Sequence, residues 1–222
     1  VDTLLGMPSY LIKLFQEQGD VLKKYGKIKK IFFGGEHFPE SMRATLLKDF
    51  AVEKIFSASY GSVDAGPLGY QCQKSPYGVH HLHESIQDLV IVKMDSLELV
   101  QGDEVGRLIF TNKIREAIKV ENYEIGDLGQ WILGDCACGR THRRFKLLGR
   151  SGDVFKAAGS YLNFNLLQDI LGVPLQLLIK KTNNLDHLVF ITDQEININK
   201  IIMSYADLKE LLDEKILTWE HN

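Results

Sequence analysis

Apolar residues recur with helical spacing at the start of the chain. Tyr10, Leu11, Leu14 and Phe15 share one face of residues 8–24, which predicts an amphipathic helix. Residues 28–33 (IKKIFF) then form a short apolar strand that ends at Gly34-Gly35. Pro39 opens the next helix, with Met42, Leu46, Leu47 and Phe50 as its buried stripe, and residues 53–58 (EKIFSA) are a second strand. Strand, helix and strand within roughly thirty residues make a βαβ unit, so the two strands should run parallel.

The texture then changes. Residues 88–94, 106–111, 128–133 and 143–149 read as strands separated by turn-rich loops at barrel-like spacing. After Gly149-Arg150-Ser151-Gly152, a helix near 163–171, strands at 174–181 and 186–192 and a helix near 205–215 follow. In that last helix Leu208, Leu211 and Leu212 read as core packing. The expected fold class is α/β with α+β character: a βαβ core and barrel-like subdomain over 1–150, then a small α+β lobe over 151–222. The boundary falls at 150–153, where two glycines and two polar residues interrupt apolar segments.

Composition narrows the functional classes. With 222 residues, 45% hydrophobic and 25% charged, the chain can bury one sizeable core. A net charge of −3 gives no electrostatic reason to expect nucleic acid or an anionic membrane as partner. No run reaches the roughly 18 apolar residues of a membrane span, and the first residues lack a signal-peptide pattern. Three cysteines are too few for a secreted disulfide framework, so the expected location is cytoplasmic. The chain opens Val1-Asp2-Thr3 without an initiator Met, which reads as a fragment of something longer.

Three separated turns share one chemical theme. Gly34-Gly35-Glu36 follows a buried strand, and backbone without side chains there lets a flat ligand approach. Tyr60-Gly61-Ser62-Val63-Asp64 also follows a strand; its hydroxyl can bond phosphate and its carboxylate can hold Mg²⁺. Tyr123-Glu124-Ile125-Gly126-Asp127 precedes Gly149-Arg150-Ser151-Gly152-Asp153. Asp is a natural acceptor for ribose hydroxyls and Arg a natural donor to phosphate. Taken singly, each is as well read as an ordinary turn; their order and spacing carry the weight.

That order, continued through Lys156 and Gly159, resembles the back two-thirds of an adenylate-forming enzyme. The resemblance runs from about residue 28 to 170. It is nearest to the phenylacetate–CoA ligase family and its acyl-protein-synthetase relatives. Cys72 after the Tyr-Gly motif, the later Gly78-Val79-His80, and Thr111 with Glu116-Ala117 carry this narrower match.

The resemblance implies that Gly34, Gly35 and Glu36 line an adenine pocket and that Tyr60, Gly61 and Ser62 border the acyl and α-phosphate site. Asp64 takes the place of the metal-binding acid, Asp127 holds the ribose, and Arg150 holds the ribose or phosphate, with Asp64 and Arg150 in the catalytic roles. It implies ATP or AMP, Mg²⁺ and CoA as ligands. A small carboxylic acid and CoA or a carrier thiol would be the partners, and a homodimer is compatible with it.

The chain departs from the family pattern in several places. Asp64 stands where Glu is usual, Asn122 and Glu124 flank Tyr123 where an Arg is expected, and Gly152 holds the hinge position. No phosphate loop ending in Lys and no late catalytic Lys occur in the sequence. The implied activity is therefore that of an acid–thiol ligase fragment, inactive by itself. The alternative is an incomplete AMP-binding or scaffold module.

Cys136-Ala137-Cys138 sets two thiols too close for a relaxed disulfide but suited to one ion. Cys72 and a histidine complete a closed tetrahedral set for structural Zn²⁺. His80 is the first choice of fourth ligand among His80, His81 and His83.

Overall fold

A computed structural model of the chain describes residues 1–222 apart from 118, 159, 174, 183, 184, 193, 205, 215, 216 and 222, and gives only the backbone of 160, 161, 203 and 206–208. The described chain falls into two units, Val1–Phe38 with Arg43–Ser151, and Pro39–Met42 with Gly152–Asn222.

The first unit begins with β1 (Thr3–Gly6), α1 (Pro8–Glu17), α2 (Gly19–Tyr25), β2 (Lys30–Phe33), α3 (Glu40–Asp49, of which Arg43 onward belongs to this unit) and β3 (Lys54–Ser57). β1, β2 and β3 make a parallel sheet in that order, with Gly6 opposite Phe33 and Phe33 opposite Ser57. The parallel β2–β3 pair is the one the βαβ pattern predicts, and β1 extends it. The helix expected over 8–24 is broken in two. Gln18, at φ −116°, donates its amide to the Leu14 carbonyl and closes α1, so Gly19 starts a new helix.

The chain continues through β4 (Tyr60–Ser62), β5 (Gly66–Tyr70), β6 (Val79–Leu82), β7 (Gln87–Val92), β8 (Gly106–Asn112), β9 (Tyr123–Ile132) and β10 (Arg144–Arg150). These form a seven-stranded sheet ordered β4-β5-β6-β10-β9-β8-β7, with every neighbouring pair antiparallel. Leu68, Leu82, Leu89, Leu108, Phe110 and Phe145 fill its core. The Gln87 amide donates to the Ala65 and Pro67 carbonyls at 2.8 and 3.0 Å, which ties β7 back to the β4–β5 edge and curls the sheet. Between β9 and β10 the register slips once: Leu147 faces Gly129, Gly149 faces Leu128, and Arg150 faces Asp127.

The second unit contains β11 (Val154–Ala157), β12 (Ser160–Asn163), α4 (Phe164–Leu171), β13 (Gln176–Thr182), β14 (Leu185–Ile191), α5 (Ile198–Ser204), α6 (Ala206–Asp213) and β15 (Leu217–His221). β11 and β12 pair as a hairpin; β13 and β15 flank β14, β15 running parallel to it. The Asn163 side chain caps α4 by accepting the Leu166 amide at 3.1 Å, and Gly172 ends it at φ 73°. Leu167, Leu171, Leu188, Phe190 and Leu217 form this unit's core, against which Leu211 and Leu212 pack as their spacing suggests. The Leu208 side chain and Gly159 lie outside the described residues.

Candidate functional site

Gly34 and Gly35 follow β2 at the carboxyl end of the parallel sheet, and Gly35 adopts φ 85°, a backbone that favours glycine. The adjacent strand end is held beside them, because the Ala58 amide donates to the Phe33 carbonyl at 2.7 Å. Tyr60 therefore starts β4 close to where β2 ends. Glu36 is exposed, and its two oxygens accept the Ser9 amide and hydroxyl at 2.9 and 3.1 Å. Those bonds fasten Glu36 to the first turn of α1, where a carboxylate offsets unpaired amides.

Tyr60, Asp127 and Arg150 come together. The Asp127 carboxylate is buried, so it requires partners. It accepts the Tyr60 hydroxyl at 2.6 Å and Arg150 Nη1 at 3.0 Å. Nη1 of Arg150 also reaches the Ile125 carbonyl at 3.4 Å. The Arg150 side chain is nevertheless 63% exposed. Burial, and then the neighbouring Asp127 charge, push the Tyr60 phenol well above its ordinary value of 10.0. Gly61 is required by close approach, since a Cβ there would overlap the Gly66 carbonyl across the β4–β5 pair.

Asp64 lies just beyond β4, exposed, and its Oδ2 accepts the Tyr123 hydroxyl at 3.1 Å. That bond, followed by desolvation and the Asp64 charge, raises the Tyr123 phenol; Arg150 pulls it down and Asp127 pushes it up further. Tyr123 thus senses all three charges of the predicted site. The Ser62 hydroxyl is engaged locally, its oxygen accepting the Ala65 amide at 3.0 Å. Glu124 points to a different partner: both its oxygens accept Arg107 Nη1, at 2.8 and 2.9 Å. Asn122 sits at φ 50° with its amide on the Thr111 hydroxyl at 3.0 Å. Sequence reasoning missed Arg115, whose guanidinium donates to the Val63 and Asp64 carbonyls. A lone arginine beside Glu116 gives no signal of that contact.

The thiols converge as expected, but with a different histidine. The ligand atoms of Cys72, His81, Cys136 and Cys138 all lie within 4.8 Å of one another. Cys72 and Cys136 sulfurs are 3.7 Å apart, and His81 Nε2 is 3.5 Å from Cys138 Sγ. A tetrahedron of zinc–sulfur bonds has edges of about 3.8 Å, so the residues fit the ion.

His80, the expected fourth ligand, faces the core instead. Neighbours on a strand point to opposite faces. On β6 His80 stacks on Phe145 at 5.8 Å and lies 5.6 Å from Tyr60, while Nδ1 bonds the Gly78 carbonyl at 3.0 Å. Burial lowers its pKa to about 4, and it is neutral. His83 lies against Tyr70, the ring centroids 4.8 Å apart and the planes tilted by 40°. Burial tends to raise the Cys72 thiol, but the Ser75 hydroxyl and Lys74 amide, both donating to its sulfur at 3.3 Å, help bring it down to about 6.

Comparison with known proteins follows the same lines. No protein-family model matches the chain. A phenylacetate–coenzyme A ligase of Thermus thermophilus is 23% identical over 225 residues, which cover 96% of this chain and 49% of that protein. Among solved structures, 2-hydroxyisobutyryl-CoA ligase in its postadenylation state superposes with a TM-score of 0.73 at 16% identity, over 100% of this chain and 51% of the other. The chain has the fold of adenylate-forming CoA ligases. An o-succinylbenzoate coenzyme A synthetase of Bacillus subtilis, solved with AMP, superposes at TM-score 0.58 and 14% identity, over 93% of this chain and 44% of the other. The chain spans about half the length of each of these proteins.

Proposed function

We propose that this chain provides the nucleotide-binding part of an ATP-dependent acid–thiol ligase. The observation that carries the reading is the Tyr60–Asp127–Arg150 cluster: a buried carboxylate held in one orientation beside an arginine whose side chain is largely exposed. A fixed carboxylate can accept two vicinal ribose hydroxyls, and Arg150 can neutralise phosphate charge. In the proposed reaction a substrate carboxylate attacks the α-phosphorus of ATP and pyrophosphate leaves. A thiol, CoA or a carrier, then attacks the acyl carbon and AMP leaves. The similarity to a phenylacetate–CoA ligase and to CoA ligases solved with acyl-adenylates supports this assignment.

Asp64 is the residue that would hold Mg²⁺. It is exposed, and its Oδ1 accepts no hydrogen bond among the described residues. The ion would supply charge neutralisation at the phosphates. Gly34 and Gly35 would give the adenine a flat edge, and Gly152–Asn222 would begin the lobe that moves between the two half-reactions. The Cys72–His81–Cys136–Cys138 set would hold a structural Zn²⁺, since four protein ligands leave no position for substrate. Three unpaired thiols suit a reducing, cytoplasmic setting. Among the described residues no helix is long and apolar enough to cross a membrane.

The test is calorimetry with AMP. Wild-type protein should bind, and Asp127→Ala should weaken binding by about tenfold or more. Equal binding by both proteins would remove Asp127 from the site and the reading with it.

A further inference from the structure

The short turn that carries Asp64 is tied at three successive carbonyls by side chains from elsewhere in the fold. Arg115 spans the first two, Nη2 reaching the Val63 carbonyl at 3.4 Å and Nη1 the Asp64 carbonyl. The third, on Ala65, accepts the Gln87 amide at 2.8 Å and the Asn112 amide at 3.3 Å. The same Asn112 accepts the Ile114 and Arg115 backbone amides at 3.0 and 2.8 Å, so one side chain fixes both the turn and the loop that delivers Arg115. Ser62 closes the turn through the Ala65 amide, and Tyr123 grips the carboxylate itself.

Packing alone does not explain so many ties. Ala65 is buried, but Val63 is 92% exposed and Asp64 and Arg115 are also on the surface. An exposed turn needs no such bracing for stability; it needs it when the direction of one group matters. The group at its tip is a carboxylate one methylene shorter than glutamate, which cannot search for its ligand by side-chain rotation as freely and depends on where the backbone puts it.

We infer that Arg115, Asn112 and Tyr123 are positioning residues that aim the Asp64 carboxylate at a divalent cation on a nucleoside triphosphate. The inference rests on the proposed role of Asp64. Arg115 suits the task because its planar fork presents two separate nitrogens to two neighbouring carbonyls in a fixed geometry, where a lysine offers one rotating ammonium. Asn112 acts at one remove, by setting Ala65 and Arg115 together. Tyr123 leaves Oδ1 of Asp64 turned toward the ligand by occupying Oδ2.

The experiment is ATP binding to the protein by calorimetry across a Mg²⁺ series, with AMP binding measured separately in the absence of metal. In the wild type Mg²⁺ should tighten ATP. Tyr123→Phe and Arg115→Ala should each raise the Mg²⁺ concentration for half-maximal effect about tenfold while leaving metal-free AMP affinity unchanged. Arg115→Lys should recover only part of the loss. Should Arg115→Ala fail to fold, the nearly isosteric Tyr123→Phe carries the test. Wild-type Mg²⁺ dependence in the folded variants, with AMP binding intact, overturns the positioning role alone. A wild type whose ATP affinity ignores Mg²⁺ overturns the role of Asp64 and this inference together, even where AMP still binds.

Discussion

The Tyr60 hydroxyl donates to the Asp127 carboxylate at 2.6 Å, joining the edge strand β4 to the interior strand β9 of the seven-stranded sheet. The bond ties the ionisation of the phenol to the fold. Because burial and then Asp127 hold the folded phenol well above 10.0, the unfolded chain loses its proton first as pH rises. The stability this group contributes is therefore complete below pH 10.0 and is lost above it. Denaturant melts against pH should show that decline in the wild type and a shallower one in Tyr60→Phe. Tyrosine ring-carbon NMR should find one phenol that titrates far later than exposed ones.

The assignment of His81 rather than His80 to the metal cluster can be checked directly. Elemental analysis should find about one zinc per chain in the wild type and in His80→Phe, and much less in His81→Ala and Cys138→Ser. Chelation should lower the melting temperature, because metal binding to such a set is coupled to folding. Zinc retained by His81→Ala but lost by His80→Phe would reverse the assignment.

Gly61→Ala should destabilise the protein by about 1–3 kcal/mol, since the new methyl meets the Gly66 carbonyl and one strand must shift. Urea unfolding would measure it. The shift also moves Tyr60, so AMP binding should weaken; a variant as stable as the wild type would mean that the β4–β5 approach is looser than described.

Phe145→Ala removes a fully buried ring whose centroid lies 5.7 Å from Tyr60, 5.8 Å from His80 and 6.3 Å from Phe110. A loss of about 3–5 kcal/mol is expected. Because the ring supports Tyr60 from behind, AMP affinity should fall even under conditions where the variant stays folded. Calorimetry on folded protein separates the two effects.

The sequence was legible where periodicity and chain connection agree. The β2–α3–β3 unit follows from an apolar strand, a helix with one stripe and a second strand, and the ligase-like motifs led to the fold family found by superposition. The three strands β4, β5 and β6 were not legible. The first two are short and rich in glycine, and VHHL is buried on both faces, so none shows alternation. The helix over 8–24 hid its break because Gln18 and Gly19 are polar or small and leave the apolar stripe unmarked. The histidine question was closed to sequence for a related reason. Two adjacent histidines must face opposite ways on a strand, but nothing local says which face holds the cysteines. Arg115 and Asn112 escaped notice because both act on backbone carbonyls, and main-chain targets leave no mark on residue identity.

The register slip at Leu148 makes the Tyr60–Asp127–Arg150 cluster depend on a count of residues. Side chains along a strand alternate between faces, so one residue skipped by the pairing inverts the facing of every side chain after it. Arg150 meets Asp127 only with that offset in place. Were Leu148 to take a partner, Gly149 would face Asp127 and Arg150 would face Gly126, turning the guanidinium to the opposite face, away from its carboxylate. Here a perfect β-ladder would be the defective one.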